Sequence, residues 1–128
     1  MSYTAVSLSP GEWQIMDRLW EKSPRTLMEL VRLLSPDTGW SKSTITTMVS
    51  RLEGKGALSY QEGGRARLYS PTITRDQAAL QETESLLRRI YRDSVGMMVN
   101  TLADSRGLTR EDIDELTAIL EKAKEGQS

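Results

Sequence analysis

Residues 40–71 read WSKSTITTMVSRLEGKGALSYQEGGRARLYSP, and this stretch decides the fold. Lys42 to Glu53 has the period of a helix, with Ser41 as its N-cap. Ile45, Met48, Val49 and Leu52 fall at i, i+3, i+4 and i+7, one apolar stripe that must pack on the rest of the domain. Ser43, Thr46, Thr47, Ser50 and Gly54 take the opposite face, with Lys42, Thr44 and Arg51 at its margins. No long acidic side chain precedes Glu53 on it. A helix face that meets only water usually mixes Glu with Lys. Short hydroxyls flanked by cations instead suit close approach to a phosphate backbone and base edges.

Gly54 and Gly56 are expected to end this helix. Ala57 to Glu62 and Arg65 to Ser70 then read as two strands around a Gly63-Gly64 turn. Arg65 and Arg67 alternate with Ala66 and Leu68, which puts both arginines and Tyr69 on one face. Two arginines at a hairpin tip suit contact with phosphates or a minor groove. The plainer reading is a solvated hairpin with ordinary surface arginines. Preceded by two short helices, this order predicts a winged helix-turn-helix: mainly α, with a small β-hairpin wing. The candidate DNA contacts are Ser41, Lys42, Ser43, Thr44, Thr46, Thr47, Ser50, Arg51, Arg65 and Arg67.

Upstream, Ser9-Pro10-Gly11-Glu12 fits a capping box with Pro10 at the first helical position. Trp13, Met16 and Trp20 form one stripe, flanked by Ile15 and Leu19, and both tryptophans are expected in the core. Thr26-Leu27-Met28-Glu29 is a second capping box. It opens a helix through Leu34, with Leu27, Leu30, Val31 and Leu34 inward. Ser35 to Gly39 reads as a turn. Trp40 should anchor the entry of the next helix.

Downstream, Thr74 caps a long helix, with Gln77 in the capping-box position. Ala79, Leu80, Thr83, Leu86, Leu87, Ile90 and Tyr91 repeat at helical spacing, and Gln81, Glu82, Arg88, Arg89 and Arg92 form the polar side. A second segment spans 94–103 with a bend at Gly96. A last helix starts at Thr109 and frays from Glu125. The expected division is a winged-helix domain over 1–73 and a three-helix domain over 74–128. The second domain has no sheet to pack on, so its apolar faces should bury against a second copy of themselves. The candidate interface residues are Leu86, Leu87, Ile90, Val95, Met98, Val99, Leu102, Ile113, Leu116 and Leu120. A two-fold dimer would set two reading helices one turn of DNA apart, over a palindromic site.

The net charge is only −1, but it is unevenly spread. Residues 1–75 hold 10 Lys/Arg against 7 Asp/Glu, and residues 76–128 hold 7 against 11. Residues 40–75 alone hold 6 basic and 2 acidic side chains, the local positive surface that phosphate binding needs. The chain has no cysteine and no histidine. Disulfides, thiolate metal sites, cysteine nucleophiles and Ser-His-Asp triads are excluded. Carboxylates or lysine could still act, but no spacing suggests it, so no enzyme, metal or cofactor is expected. The run Glu111, Asp112, Asp114 and Glu115 matches no EF-hand spacing and reads as acids favoured by a helix dipole. MSYTAVSLSP lacks the pattern of a signal peptide and no segment has the length of a membrane span, so a cytoplasmic protein without direct membrane binding is expected.

Four segments in order carry a resemblance over nearly all of the chain: LSPGEWQIMDRLW, WSKSTITTMVSRLEGKGAL, the hairpin ending RLYSP, and LTREDIDELTAIL. With them the chain resembles the BlaI/MecI penicillinase-repressor family of bacteria. The resemblance implies a homodimeric repressor that covers a promoter operator, often with TACA/TGTA-like half-sites, of β-lactamase, penicillin-binding-protein or related genes. Family DNA contacts map to Lys42, Ser43, Thr44, Thr46, Thr47 and Arg51. The penicillinase repressors tend to carry longer basic residues where this chain has Ser43 and Thr46, which implies a different operator. The resemblance also implies a membrane sensor-protease as partner, which cuts the repressor in its dimerisation region. The family's Asn-Phe type cleavage pair maps to Asn100-Thr101, in a chain without phenylalanine. The copper-responsive branch uses C-terminal cysteines, which this chain lacks. Two alternatives compete: a winged-helix protein-interaction module, and a small-molecule-responsive regulator with a pocket at the dimer interface.

Overall fold

The computed structural model describes residues 7–127. Eight elements follow in order: α1 (Pro10–Glu21), α2 (Leu27–Thr38), α3 (Lys42–Gly54), β1 (Leu58–Gly63), β2 (Ala66–Pro71), α4 (Arg75–Tyr91), α5 (Val95–Ser105) and α6 (Arg110–Gln127). They fall into two compact units that divide inside α4, between Thr83 and Glu84.

The first unit is a winged helix-turn-helix. Its three short helices begin where capping chemistry dictates. Ser9 and Glu12 form a reciprocal box at α1, as Thr26 and Glu29 do at α2, and Ser41 accepts from the Thr44 N–H at α3. Ile15, Met16, Leu19, Leu30, Ile45, Leu52 and Leu58 are fully buried between them. Each such side chain contributes about 2 kcal/mol relative to exposure. The α1 stripe is rotated from the one expected. Trp13 and Trp20 are half-buried at its edge, with ring centroids 5.5 Å apart. Trp20 has a polar atom to satisfy and donates its indole N–H to the Ile73 carbonyl at 2.8 Å.

Helix α2 does not stop at Leu34. It continues through Pro36 to Thr38 and ends on a left-handed Gly39. Proline removes one hydrogen bond, but Gly39 N–H still reaches the Ser35 carbonyl and Thr38 Oγ1 reaches that of Leu34, so the last turn closes. Only residues 39–41 are left to connect α2 to α3. At the end of α3, Gly54 is still helical and Gly56 is the left-handed residue. The Ala57 N–H reaches the Leu52 carbonyl and the Gly56 N–H that of Glu53, the two bonds of a Schellman cap.

The hairpin pairs Leu58 with Pro71, Tyr60 with Tyr69 and Gly63 with Ala66. The two loop residues are therefore Gly64 and Arg65, one position later than expected. Gly64 has φ +81° and Arg65 does not have positive φ, the pattern of a II′ turn, whose first central position favours glycine. Sequence reading missed that Arg25 exchanges both backbone bonds with Tyr69, at 3.0 and 2.8 Å. The segment between α1 and α2 thereby ties the wing to the helical core.

The first part of α4 packs through Ala78 and Gln81, not through Ala79 and Leu80. Fully buried Ala78 is small enough to bring the helix close, which carries Gln81, one turn on, into the same contact. Thr74 and Gln77 cap the helix reciprocally, as their spacing predicts.

In the second unit, Ser94 caps α5 and Thr109 with Asp112 caps α6. Gly96 lies inside α5 and makes no bend. The chain turns instead at Arg92 and Asp93, whose φ values are 50° and 65°. Asparagine and aspartate tolerate that region better than most residues, and Asp93 N–H closes on the Leu87 carbonyl. Helix α6 stays regular past Glu125 to Gln127, and Ser128 lies outside the described residues. Asp112 serves the cap: bonds from Thr109, the backbone N–H first, hold its carboxyl below the usual value.

One buried ion pair escaped the sequence. Glu12 is 2% exposed, and its Oε1 accepts from Lys55 Nζ at 2.6 Å and from the Ser9 N–H at 2.8 Å. Lys55 also donates to the Ser7 carbonyl, which pins the entry to α1 onto the end of α3. Burial pushes the Glu12 carboxyl up, but the bonds from Lys55 and Ser9 and the lysine charge outweigh it, so its pKa lies below the ordinary 4.5. Lys55→Met should cost about 2 kcal/mol near neutral pH, because Glu12 Oε2 already has no partner and Oε1 would lose its ammonium. A lowered folded pKa gives stability that is present above pH 4.5 and lost as pH falls through the folded value. Urea unfolding of both proteins should therefore show the gap shrinking below pH 4.5; a gap independent of pH would refute this role for the pair.

Candidate nucleic-acid interface

Helix α3 sorts its residues by face as the spacing predicts. Ile45, Val49 and Leu52 are buried, while Ser41, Lys42, Ser43, Thr44, Thr46, Thr47, Ser50 and Arg51 are all exposed. Ser41 is committed to its cap, accepting from the Thr44 N–H and donating to Thr44 Oγ1. Thr46 and Thr47 donate to the carbonyls of Lys42 and Ser43, at 2.7 and 3.0 Å. Each hydroxyl hydrogen is thus used within the helix, and what these side chains offer outward is acceptor lone pairs and a methyl group.

The wing does not present its two arginines alike. Arg65 is exposed in the turn itself, not on the strand face shared by Arg67 and Tyr69. Tyr69 is 8% exposed and belongs to the core. Arg67 lies over the Tyr60 ring, 4.1 Å from its centroid, and its Nε is 3.9 Å from Glu62 Oε1, directly across the hairpin. A hydrogen bond with the Tyr69 side chain, then the nearby Tyr60 and Glu62, raise its pKa further above the ordinary arginine value.

Of the six basic side chains between residues 40 and 75, Lys55 pairs with Glu12, Arg75 with Asp17 and Arg67 with Glu62. Among the described residues, Lys42, Arg51 and Arg65 enter no ion pair. Lys42, Arg65 and Arg67 line one groove of about 350 Å³, with Thr26 and Met28 from the start of α2. The start of α3 and the tip of the wing therefore flank a single surface.

The second unit carries a different surface. Leu86, Ile90, Val95, Leu102, Ile113 and Leu120 are exposed, and Leu87, Met98, Val99 and Leu116 are only half-buried. Met97 and Ile119 are exposed as well. No residue of α5 or α6 is buried. Large exposed apolar patches on a folded chain mark interaction surfaces. The concavity between α5 and α6, lined by Leu102, Leu108 and Leu116, holds about 210 Å³, below the usual range of small-molecule pockets. Asn100 and Thr101 are exposed in the middle of α5. No helix among the described residues is long and apolar enough to cross a membrane.

The model of the penicillinase repressor family matches residues 8–122. The chain is 34% identical over 117 residues to the penicillinase repressor of Bacillus licheniformis, covering 91% of each. It is similar to the solution structure of the DNA-binding domain of the repressor BlaI, with a TM-score of 0.54 and 33% identity, over 59% of this chain and 93% of that one. It is also similar to the monomeric Bacillus licheniformis BlaI in complex with the blaP half-operator, with a TM-score of 0.52 and 34% identity, over 58% and 90%. With a family match over nearly its whole length, this chain belongs to the penicillinase repressor family.

Proposed function

We propose that the chain is a homodimeric transcriptional repressor that binds a palindromic promoter operator. The observation that carries this reading is the surface shared by α3 and the wing, where every exposed side chain before Glu53 is short, hydroxylated or cationic. Lys42, Arg51 and Arg65 contact phosphates, and Ser43, Thr46, Thr47 and Ser50 lie against base edges. Thr46 and Thr47, as acceptors, take the amino groups of adenine or cytosine, and their methyls meet thymine methyls. The exposed faces of the second unit join two copies, and each copy reads one half-site. The BlaI structure in complex with the blaP half-operator, similar over 58% of this chain, supports the DNA-binding part of this reading.

The regulated genes are those of β-lactamases, penicillin-binding proteins or related functions. Release comes from a membrane sensor-protease that cuts at Asn100-Thr101. That bond lies inside a helix, where Thr101 Oγ1 also donates to the Met97 carbonyl, so a cut requires local opening of α5. Duplex binding should fall steeply with salt, by about 10³-fold or more between about 50 and 200 mM, as six or more phosphate contacts release counterions. Binding indifferent to salt would move the reading to a protein-interaction module.

A further inference from the structure

We infer that Arg67 is a positioning residue of the wing, and that Arg65 alone carries the wing's charge to DNA. The inference rests on the DNA-binding reading and refines it. Both faces of the hairpin are braced by a diagonal contact. On one face the Arg67 guanidinium covers the Tyr60 ring, whose centroid is also 5.9 Å from that of Tyr69. Tyr69 is fixed in turn by its backbone pair with Arg25. On the other face Leu68 lies across Gly63, where an added Cβ would sit 2.6 Å from Leu68 Cδ1. An isolated two-stranded hairpin is marginal in water, so a rigid tip needs such bracing. The tip residue itself is Arg65, exposed and without an ion pair among the described residues. Arg67 borders the same groove, but its guanidinium lies over Tyr60 and beside Glu62 at 3.9 Å, an exposed pair that contributes little by itself, so its stacking is the contact that distinguishes it from Arg65.

Arginine is needed at position 67 because a planar guanidinium stacks on an aromatic ring, whereas lysine is a hydrated point charge. The test is the affinity for a mixed-sequence duplex over a series of salt concentrations, with thermal melts confirming that each variant is folded. Arg65→Ala should lower the salt slope by about one, and Arg65→Lys should restore it. Arg67→Ala should weaken binding roughly two- to fivefold with the slope unchanged, and Arg67→Lys should not rescue it. Tyr60→Leu should cause the same loss, and the double variant with Arg67→Ala should be no worse than either alone. A slope reduced by about one in Arg67→Ala, with rescue by lysine, would overturn the positioning role and make Arg67 a phosphate contact. A parent protein that binds no duplex at any salt would overturn the DNA-binding reading itself, and this inference with it.

Discussion

Leu120→Asp is expected to leave a folded protein that sediments as a monomer and binds its operator about 10²- to 10⁴-fold more weakly. Leu120 is 62% exposed within one chain, so a carboxylate there stays hydrated and costs the monomer little. At the centre of an apolar contact the same carboxylate would be buried without a partner, at a cost of several kcal/mol. Neither α5 nor α6 has a buried residue of its own, so the faces that carry Leu86, Ile90, Val95, Ile113 and Leu120 are the surface available for association. With dimerisation lost, the second half-site no longer benefits from the effective concentration that the first creates. Sedimentation and operator titration of the same sample separate the two effects. A variant that remains dimeric would place the interface elsewhere.

Ile45→Ala should destabilise the first unit by about 3 kcal/mol, while Thr46→Ala, its neighbour in sequence, should stay within about 0.5 kcal/mol of the parent. Ile45 is fully buried on the inner face of α3, and truncation removes packed methyl groups and leaves a cavity between helices. Thr46 is exposed on the outer face and bonds only to its own helix. The two changes should also differ on DNA. Ile45→Ala should weaken all duplexes together, by lowering the folded fraction and loosening the helix, whereas Thr46→Ala should change which sequences are preferred. Urea midpoints and competition between duplexes report the two effects. A lower midpoint for Thr46→Ala than for Ile45→Ala would mean that α3 is turned the other way, and equal midpoints would contradict the burial assigned to Ile45.

Local rules made much of this legible. The caps at Ser9, Thr26, Ser41 and Thr74 stand where spacing puts them, because each needs only a side chain and an N–H within one turn. The two faces of α3 follow from helical period alone. What was not legible depends on partners far along the chain. Glu12 satisfies its capping box whether or not Lys55 lies 43 residues away, so nothing in its own segment announces a buried ion pair. The bridge from Arg25 to Tyr69 joins backbone atoms, for which side-chain patterns carry no signal. The wing arginines look equivalent in the string RARLY, and only the register of the hairpin puts one in the turn and the other over Tyr60. Helix α4 shows the same limit. A periodic stripe shows that a face is buried but not which of two adjacent rows leads, and small Ala78 leads here instead of Leu80.

The most direct measurement is selection of bound fragments from the source genome with the purified full chain at moderate salt, followed by sequencing of what is retained. A two-fold symmetric motif upstream of particular genes, with half-sites about one helical turn apart, is the result this account predicts. Retention without a shared motif, or no retention at all, would contradict it and leave the winged helix as a fold used for some other contact.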